Sequence, residues 1–306
     1  MINIAVFSPH SADKWAEALA SKLPSAKIYL WPVCPDCDYA AVWRPPPDFF
    51  TGQNKLKAVF AFGAGVDSLA CMEAIPKEVP LIKIEDGGMG TQMIEYALYA
   101  SLNYLRRFDK YAQAQKSASW DPLPIMSRGD VTVGVLGLGS LGRQVAEELG
   151  AFGFKVIGWS RTEKKLKGVD CRSGVGDLEE VLKKSNVLLV LLPLTKETSG
   201  LLDMRHLSIL PRDACLVNLS RGALLVEQDL LKLLDSGHLS RAFLDVFNTE
   251  PLPAEHPFWR HHLITITPHI AAQTPYEPAT AQIAEKILKL ENGDCVTGLV
   301  DRDLGY

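Results

Sequence analysis

Residues 130–161 read DVTVGVLGLGSLGRQVAEELGAFGFKVIGWSR. An apolar run, a glycine-rich turn, an amphipathic run and a second apolar run follow one another without a break, and few folds admit that succession. Val131–Leu136 predicts a strand and Arg143–Leu149 a helix. Between them stands Gly137-Leu138-Gly139-Ser140-Leu141-Gly142, a G-x-G-x-x-G. In this setting the first glycine permits a tight turn. The second lets backbone approach a pyrophosphate, and the third packs helix closely on strand. The helix N-terminus then offers unpaired N–H groups to phosphate. Gly137, Gly139, Ser140, Leu141 and Gly142 are therefore the expected cofactor-binding residues of a dinucleotide fold. The plainer alternative is a glycine-rich turn without a ligand.

The second strand, KVIGW, ends about 20 residues beyond the glycines, where the ribose end of the dinucleotide is read. An NAD site places Asp or Glu there for the 2′-hydroxyl, whereas an NADP site needs donors and positive charge for a 2′-phosphate. The chain reads Ser160, Arg161 and Thr162, with Lys164 and Lys165 beyond and Glu163 as the nearest acid. Two hydroxyls and a guanidinium fit the phosphate, so NADP is the expected cofactor. A solvated polar turn is the alternative.

Elsewhere short apolar runs alternate with helical patterns. Before the glycines, INIAVF (2–7), AKIYLW (26–31), YAAVW (core at 40–43), KAVFAF (57–62) and LIKI (81–84) predict strands, and SADKWAEALASKL (11–23) a helix. No glycine fingerprint follows the first of these strands, so the nucleotide is not placed there. One long helical pattern spans 92–115, with a Tyr-rich face suited either to a core or to a subunit contact. After the glycines come VLLVLL (187–192), ACLVNLS (214–220), AFLDVF (242–247) and LITITPH (263–269). Gly237 and Gly293 close two later helical patterns. Runs this apolar are those of parallel strands covered on both faces. The fold class is α/β, with two doubly wound parallel-sheet domains, for which 306 residues suffice.

A net charge of −4 argues against a nucleic-acid partner. The longest apolar run, 187–192, is too short for a membrane span. The opening MINIAVFSPH has neither the positive region nor the apolar core of a secretion signal, so a cytoplasmic location is expected. Cysteines stand at 34, 37, 71, 171, 215 and 295, and reduced thiols are the default there. Cys34 and Cys37 form a CxxC in the loop PVCPDC, but no second CxxC and no helix start follows. They read as loop residues, and no metal site is expected.

Three residues stand at or just past predicted strand ends, where open α/β sheets bind ligands. Arg221 follows ACLVNLS, Glu250 lies in LDVFNTEPLP, and His269 ends LITIT in TPHIAA. Hydride transfer to a ketone needs a cation to orient a carboxylate and polarise the carbonyl, and a proton donor near neutral pH. His269 suits the donor, and a neighbouring carboxylate favours its charged form.

Together SRGALLVE, LDVFNTEPLP, TPHIAA and GLGSLG resemble the D-isomer-specific 2-hydroxyacid dehydrogenase family, over nearly the whole chain. This family resemblance implies that a Rossmann nucleotide domain at about 98–274 is inserted into a flavodoxin-like substrate domain formed by 1–97 and 275–306. The resemblance implies that Arg221, Glu250 and His269 are catalytic and that Arg221 also binds substrate. It implies that backbone amides of FGAGVDSL (62–69), at Ala64 and Gly65, take the substrate carboxylate, and it counts Asp245 with the cofactor-binding residues. VFAFGAGVDSL, EDGGMGTQMIEYA, LNYLRRFDKY, WDPLP, WSRT and VDRDLGY are similar to an NADPH-dependent branch that reduces small 2-oxo acids, glyoxylate to glycolate and hydroxypyruvate to D-glycerate. A homodimer formed through helix 92–115, and closure of a cleft between the domains, are further implications. Trp43 in VWRPPP either walls the substrate pocket or belongs to the core. Ser140 stands where many relatives carry a bulkier or charged residue, which leaves binding by backbone amides intact. The alternatives are another 2-hydroxyacid specificity or a nucleotide-sensing regulator. A formate dehydrogenase relative would have glutamine at 250.

Overall fold

In the computed structural model, which describes residues 1–306, the apolar runs near the N-terminus pair as parallel strands. They are β1 (Asn3–Phe7), β2 (Lys27–Leu30), β3 (Tyr39–Val42), β4 (Ala58–Ala61) and β5 (Leu81–Ile82), in the order β2-β1-β3-β4-β5. β3 and β4 are buried throughout, which is why they read as unbroken apolar runs. Helices α1 (Ala12–Lys22) and α2 (Asp67–Ala70) belong to this unit, as does a C-terminal helix, Tyr276–Glu291. Trp15 of α1 stacks on Phe62 at 3.9 Å and meets Tyr276 edge-on at 4.7 Å. LIKI pairs over only its first two residues, because the Lys83 N–H turns away to the Gly298 carbonyl at 2.9 Å.

The unit comprises Met1–Met89 and Thr274–Tyr306, and Gly90–Gln273 forms a second. The sequence places the first crossing at 97/98, inside the long helix. The chain instead divides where that helix begins, because Met93, Ala97 and Ala100 pack into the core of the second unit.

The spacing also predicts one helix over 92–115. The structure has two, α3 (Met89–Arg106) and α4 (Phe108–Lys116), separated by Arg107 in the left-handed region at φ 53°. A helix cannot run through a left-handed residue. Before the break the face serves the core, with Ala97 and Ala100 buried, whereas α4 buries nothing.

The second sheet holds β6 (Thr132–Leu136), β7 (Lys155–Ser160), β8 (Val169–Ser173), β9 (Val187–Val190), β10 (Ala214–Asn218), β11 (Leu239–Leu244) and β12 (Ile264–Ile266). All run parallel, in the order β12-β11-β10-β9-β6-β7-β8. The order reverses direction between β6 and β9, the topological switch point at which such sheets bind dinucleotides. Helix α5 (Ser140–Phe152) follows β6, and α6 (Val175–Lys184), α7 (Met204–Ile209) and α8 (Glu227–Asp235) come later. Alternate side chains of the central strands feed two cores. Leu188, Val190, Leu216 and Leu244 pack with Val181, Leu182, Leu230 and Leu234. Val187, Leu189, Val217 and Phe243 pack with Ala97, Ala100, Val145 and Leu149. Each such side chain withdrawn from water contributes roughly 1.5–3 kcal/mol. No helix is long and apolar enough to cross a membrane.

Candidate active site

The glycine turn lies between β6 and α5. Gly137 adopts φ 102°, and its N–H bonds the Trp159 carbonyl at 2.8 Å, tying the turn to β7. A Cβ at Gly142 would collide with the Gly137 carbonyl, so helix and turn touch backbone to backbone. At Gly139 the same Cβ would meet no protein atom within 4 Å. The open side of the turn is therefore the one an approaching phosphate requires. The first intrahelical bond of α5 is that of the Arg143 N–H to the Gly139 carbonyl, and no side chain caps the helix. Its leading N–H groups remain for an anion.

At the end of β7 the Ser160 hydroxyl donates to the Thr162 carbonyl at 2.8 Å and is buried. It closes its own turn, while Arg161 and Thr162 stand exposed. The Glu197 carboxyl lies below its usual range, first through a hydrogen bond from the Thr195 hydroxyl and also through the charge of Arg161.

Arg221 follows β10. Buried Asn218, which the sequence did not single out, shapes this turn. Its Oδ1 accepts from the Ser220 N–H and hydroxyl, each at 3.2 Å, and its Nδ2 donates to the Arg221 carbonyl at 2.9 Å. Arg221 Nη1 donates to the Ser220 carbonyl at 2.7 Å. The next residue, Gly222, lies against the backbone of Phe247 and Asn248 so closely that any Cβ would clash. The turn bearing Arg221 thus rests directly on the loop bearing Glu250.

Glu250 Oε1 accepts the Phe247 N–H at 3.1 Å, and Oε2 lies 2.8 Å from His269 Nδ1. Nε2 is then the nitrogen left to meet a substrate. His269 sits in the left-handed region at φ 55°, rare for a residue other than glycine. Asp245 holds it there: its carbonyl accepts the His269 N–H at 2.8 Å. Its carboxylate accepts from the Thr267 hydroxyl at 2.6 Å, the Ile270 N–H at 2.9 Å and the Ala271 N–H at 2.8 Å. Tyr96 completes the network on Thr267 at 2.8 Å. Both oxygens of Asp245 are thus engaged in shaping the histidine loop.

Ala64 and Gly65 belong to the other unit, in the loop after β4. No protein acceptor takes the N–H groups of residues 63–66, a row of donors suited to an anion. The Trp43 ring fills the space where Gly63 would carry a side chain.

Cys37 is buried and donates from Sγ to the Pro35 carbonyl at 3.3 Å. Burial, with Cys34 adding to it, pushes its thiol up to about 12, and burial also holds Cys215 at about 12. The thiolate is the reactive species. Iodoacetamide at neutral pH is therefore expected to label exposed Cys71 and Cys295 and to spare Cys37 and Cys215, as read by mass spectrometry. Rapid labelling of Cys37 would make the CxxC a reactive pair.

The sequence profile of the D-isomer specific 2-hydroxyacid dehydrogenase NAD binding domain matches residues 98–271. The chain belongs to the D-isomer specific 2-hydroxyacid dehydrogenase family. Members it resembles match end to end. Glyoxylate/hydroxypyruvate reductase A of Serratia proteamaculans is 46% identical, with 100% of each chain covered. The crystal structure of a D-isomer specific 2-hydroxyacid dehydrogenase from Xanthobacter autotrophicus, in complex with NADPH and MES, is 36% identical with a TM-score of 0.96, covering 100% of this chain and 99% of that one. The NADPH-dependent glyoxylate/hydroxypyruvate reductase of Sinorhizobium meliloti, in complex with NADP and sulfate, is 34% identical with a TM-score of 0.93, each chain covered to 100%. As the parallel sheets of both units led one to expect, the family fold runs through the whole chain.

Proposed function

We propose that this protein uses NADPH to reduce small 2-oxo acids, glyoxylate to glycolate and hydroxypyruvate to D-glycerate. The observation that carries this reading is the His269–Glu250 pair at 2.8 Å, beyond β11 and β12 of the sheet whose first βα turn carries the glycines. The names of the full-length relatives, and their complexes with NADPH and NADP, support the cofactor and the substrates. The open face at Gly139 and the free N–H groups of α5 fit the pyrophosphate, with Arg161 and Thr162 at the 2′-phosphate.

When bound, NADPH supplies a hydride to the carbonyl carbon. Arg221 orients the substrate carboxylate and polarises the carbonyl. His269 gives the proton on Nε2 to the carbonyl oxygen as it gains charge, and Glu250 holds Nδ1 and balances the imidazolium. The amides of Ala64 and Gly65 take the carboxylate. The unit Gly90–Gln273 is assigned to the nucleotide and the other to the substrate. The protein acts in the cytoplasm as a homodimer. Trp120 and Ile125 are 96% and 99% exposed beyond α4, an apolar surface suited to a second copy.

Initial rates of NADPH and NADH oxidation with glyoxylate, hydroxypyruvate, pyruvate and phenylpyruvate test the assignment. No turnover with any of them would favour a nucleotide-sensing role. Arg161→Ala tests the cofactor. A charge-assisted contact contributes roughly 1.5–3 kcal/mol, so NADPH affinity is expected to fall about tenfold or more and NADH affinity to change little. Equal losses for both cofactors would remove Arg161 from the phosphate site.

A further inference from the structure

Glu227 opens α8 and closes the stretch SRGALLVE. The proposed chemistry gives it no part, yet its carboxylate is only 18% exposed and both oxygens face the loop that carries Glu250. Oε1 accepts the Asn248 N–H at 3.2 Å, and Oε2 lies 3.3 Å from His256 Nε2. His256 Nδ1 accepts the Phe258 N–H at 3.4 Å, and its ring meets Phe258 edge-on at 4.6 Å. With Nδ1 an acceptor, the ring proton sits on Nε2, the nitrogen nearest the Glu227 carboxylate. Asn248 precedes Glu250 in the chain and His256 follows it. A single carboxylate therefore ties both arms of the loop to α8.

The two glutamates bind adjacent amides. Asn248 N–H goes to Glu227, and Phe247 N–H goes to Glu250 Oε1 at 3.1 Å. Glu250 Oε2 then reaches His269 Nδ1. Three hydrogen bonds and one peptide unit link Glu227 to the imidazole. We propose that Glu227 is a positioning residue for hydride transfer: it anchors the 247–256 loop so that Glu250 stays aimed at His269. This rests on the reductase reading above. The charged groups around the linkage are His256 beside Glu227, His269 beside Glu250, Arg221 on the turn packed against Phe247, and Asp245 beneath the histidine loop.

The test follows single-turnover NADPH oxidation by glyoxylate across pH, for the parent, Glu227→Ala, Glu250→Gln and the double variant. Glu227→Ala is expected to slow hydride transfer about tenfold, part of the roughly 10²–10⁴ that a positioned acid supplies. Its fall in rate should move to lower pH, as in Glu250→Gln, with NADPH affinity unchanged. The double variant should be no slower than Glu250→Gln, since nothing remains to be positioned. Glu227→Gln keeps an acceptor for Asn248 and should recover part of the rate. A pH profile of Glu227→Ala that overlays the parent's, or losses that multiply in the double variant, would overturn the proposal. If Glu227→Ala does not fold, His256→Phe removes one tie while keeping a ring on Phe258, and the same two outcomes decide. The chemical shift of the His269 Nδ1–H proton reads the linkage without turnover. It should move upfield in Glu227→Ala as the bond to Glu250 weakens, and an unmoved resonance refutes the linkage. A parent that turns over no 2-oxo acid overturns the reductase reading instead.

Discussion

Replacing His269 by alanine is expected to slow NADPH-driven reduction at least ~100-fold, because a positioned acid is typically worth about 10²–10⁴ in rate. The ketone oxygen becomes an alkoxide as the hydride arrives, and the role proposed for His269 is to give that oxygen its proton. Reduction requires the imidazolium, so its rate should be high on the acid side and fall as pH rises. Oxidation of the 2-hydroxy acid requires the neutral ring and should show the opposite slope. Glu250→Gln keeps a hydrogen bond at Nδ1 but removes the charge that favours the protonated ring. Its fall in reductive rate should come at lower pH, with a smaller loss than in His269→Ala. Single-turnover rates across pH measure both effects. If the Glu250→Gln profile overlays that of the parent while hydride transfer limits the rate, the proton comes from elsewhere.

Arg221→Lys is the second large effect. A guanidinium presents a planar fork that matches a carboxylate, whereas an ammonium is a point charge on a flexible stem. Losing one charge-assisted hydrogen bond costs about 1.5–3 kcal/mol, so kcat/KM for glyoxylate should fall roughly 10- to 100-fold. NADPH affinity, measured by fluorescence titration, should survive. Near-normal turnover would show that Arg221 serves the turn alone, through its bond to the Ser220 carbonyl.

What could be read from the sequence was local. Gly137 and Gly142 announce themselves because the φ of 102° that the turn imposes on the first, and the close approach of the second to the turn's own carbonyl, arise within one strand-turn-helix stretch. β9 and β10 are buried on both faces and read as apolar runs. β8 was missed because it is a half-exposed edge strand, VDCRS, with no such run. Nothing in LRRFDK marks the break at Arg107, since neither glycine nor proline stands there. The supports of the site were hidden for a different reason. Asp245 bonds residues 22 to 26 positions away, and Glu227 a residue 21 away. Such partners leave no period in the sequence. Ser160 reads as a phosphate ligand from its place at the strand end, and its hydrogen bond to the Thr162 carbonyl shows only once the turn is closed.

The bare backbone seam where Gly222 meets Phe247 has a mechanical consequence. With no side chain between them to change rotamer, one turn cannot shift towards the other without displacing its backbone. The turn that carries Arg221 and the loop that carries Glu250 are then held at a fixed separation by backbone contact. The proposed chemical step joins a polarised oxygen to an arriving proton and depends on that separation, so the seam keeps two distant stretches of chain in registration.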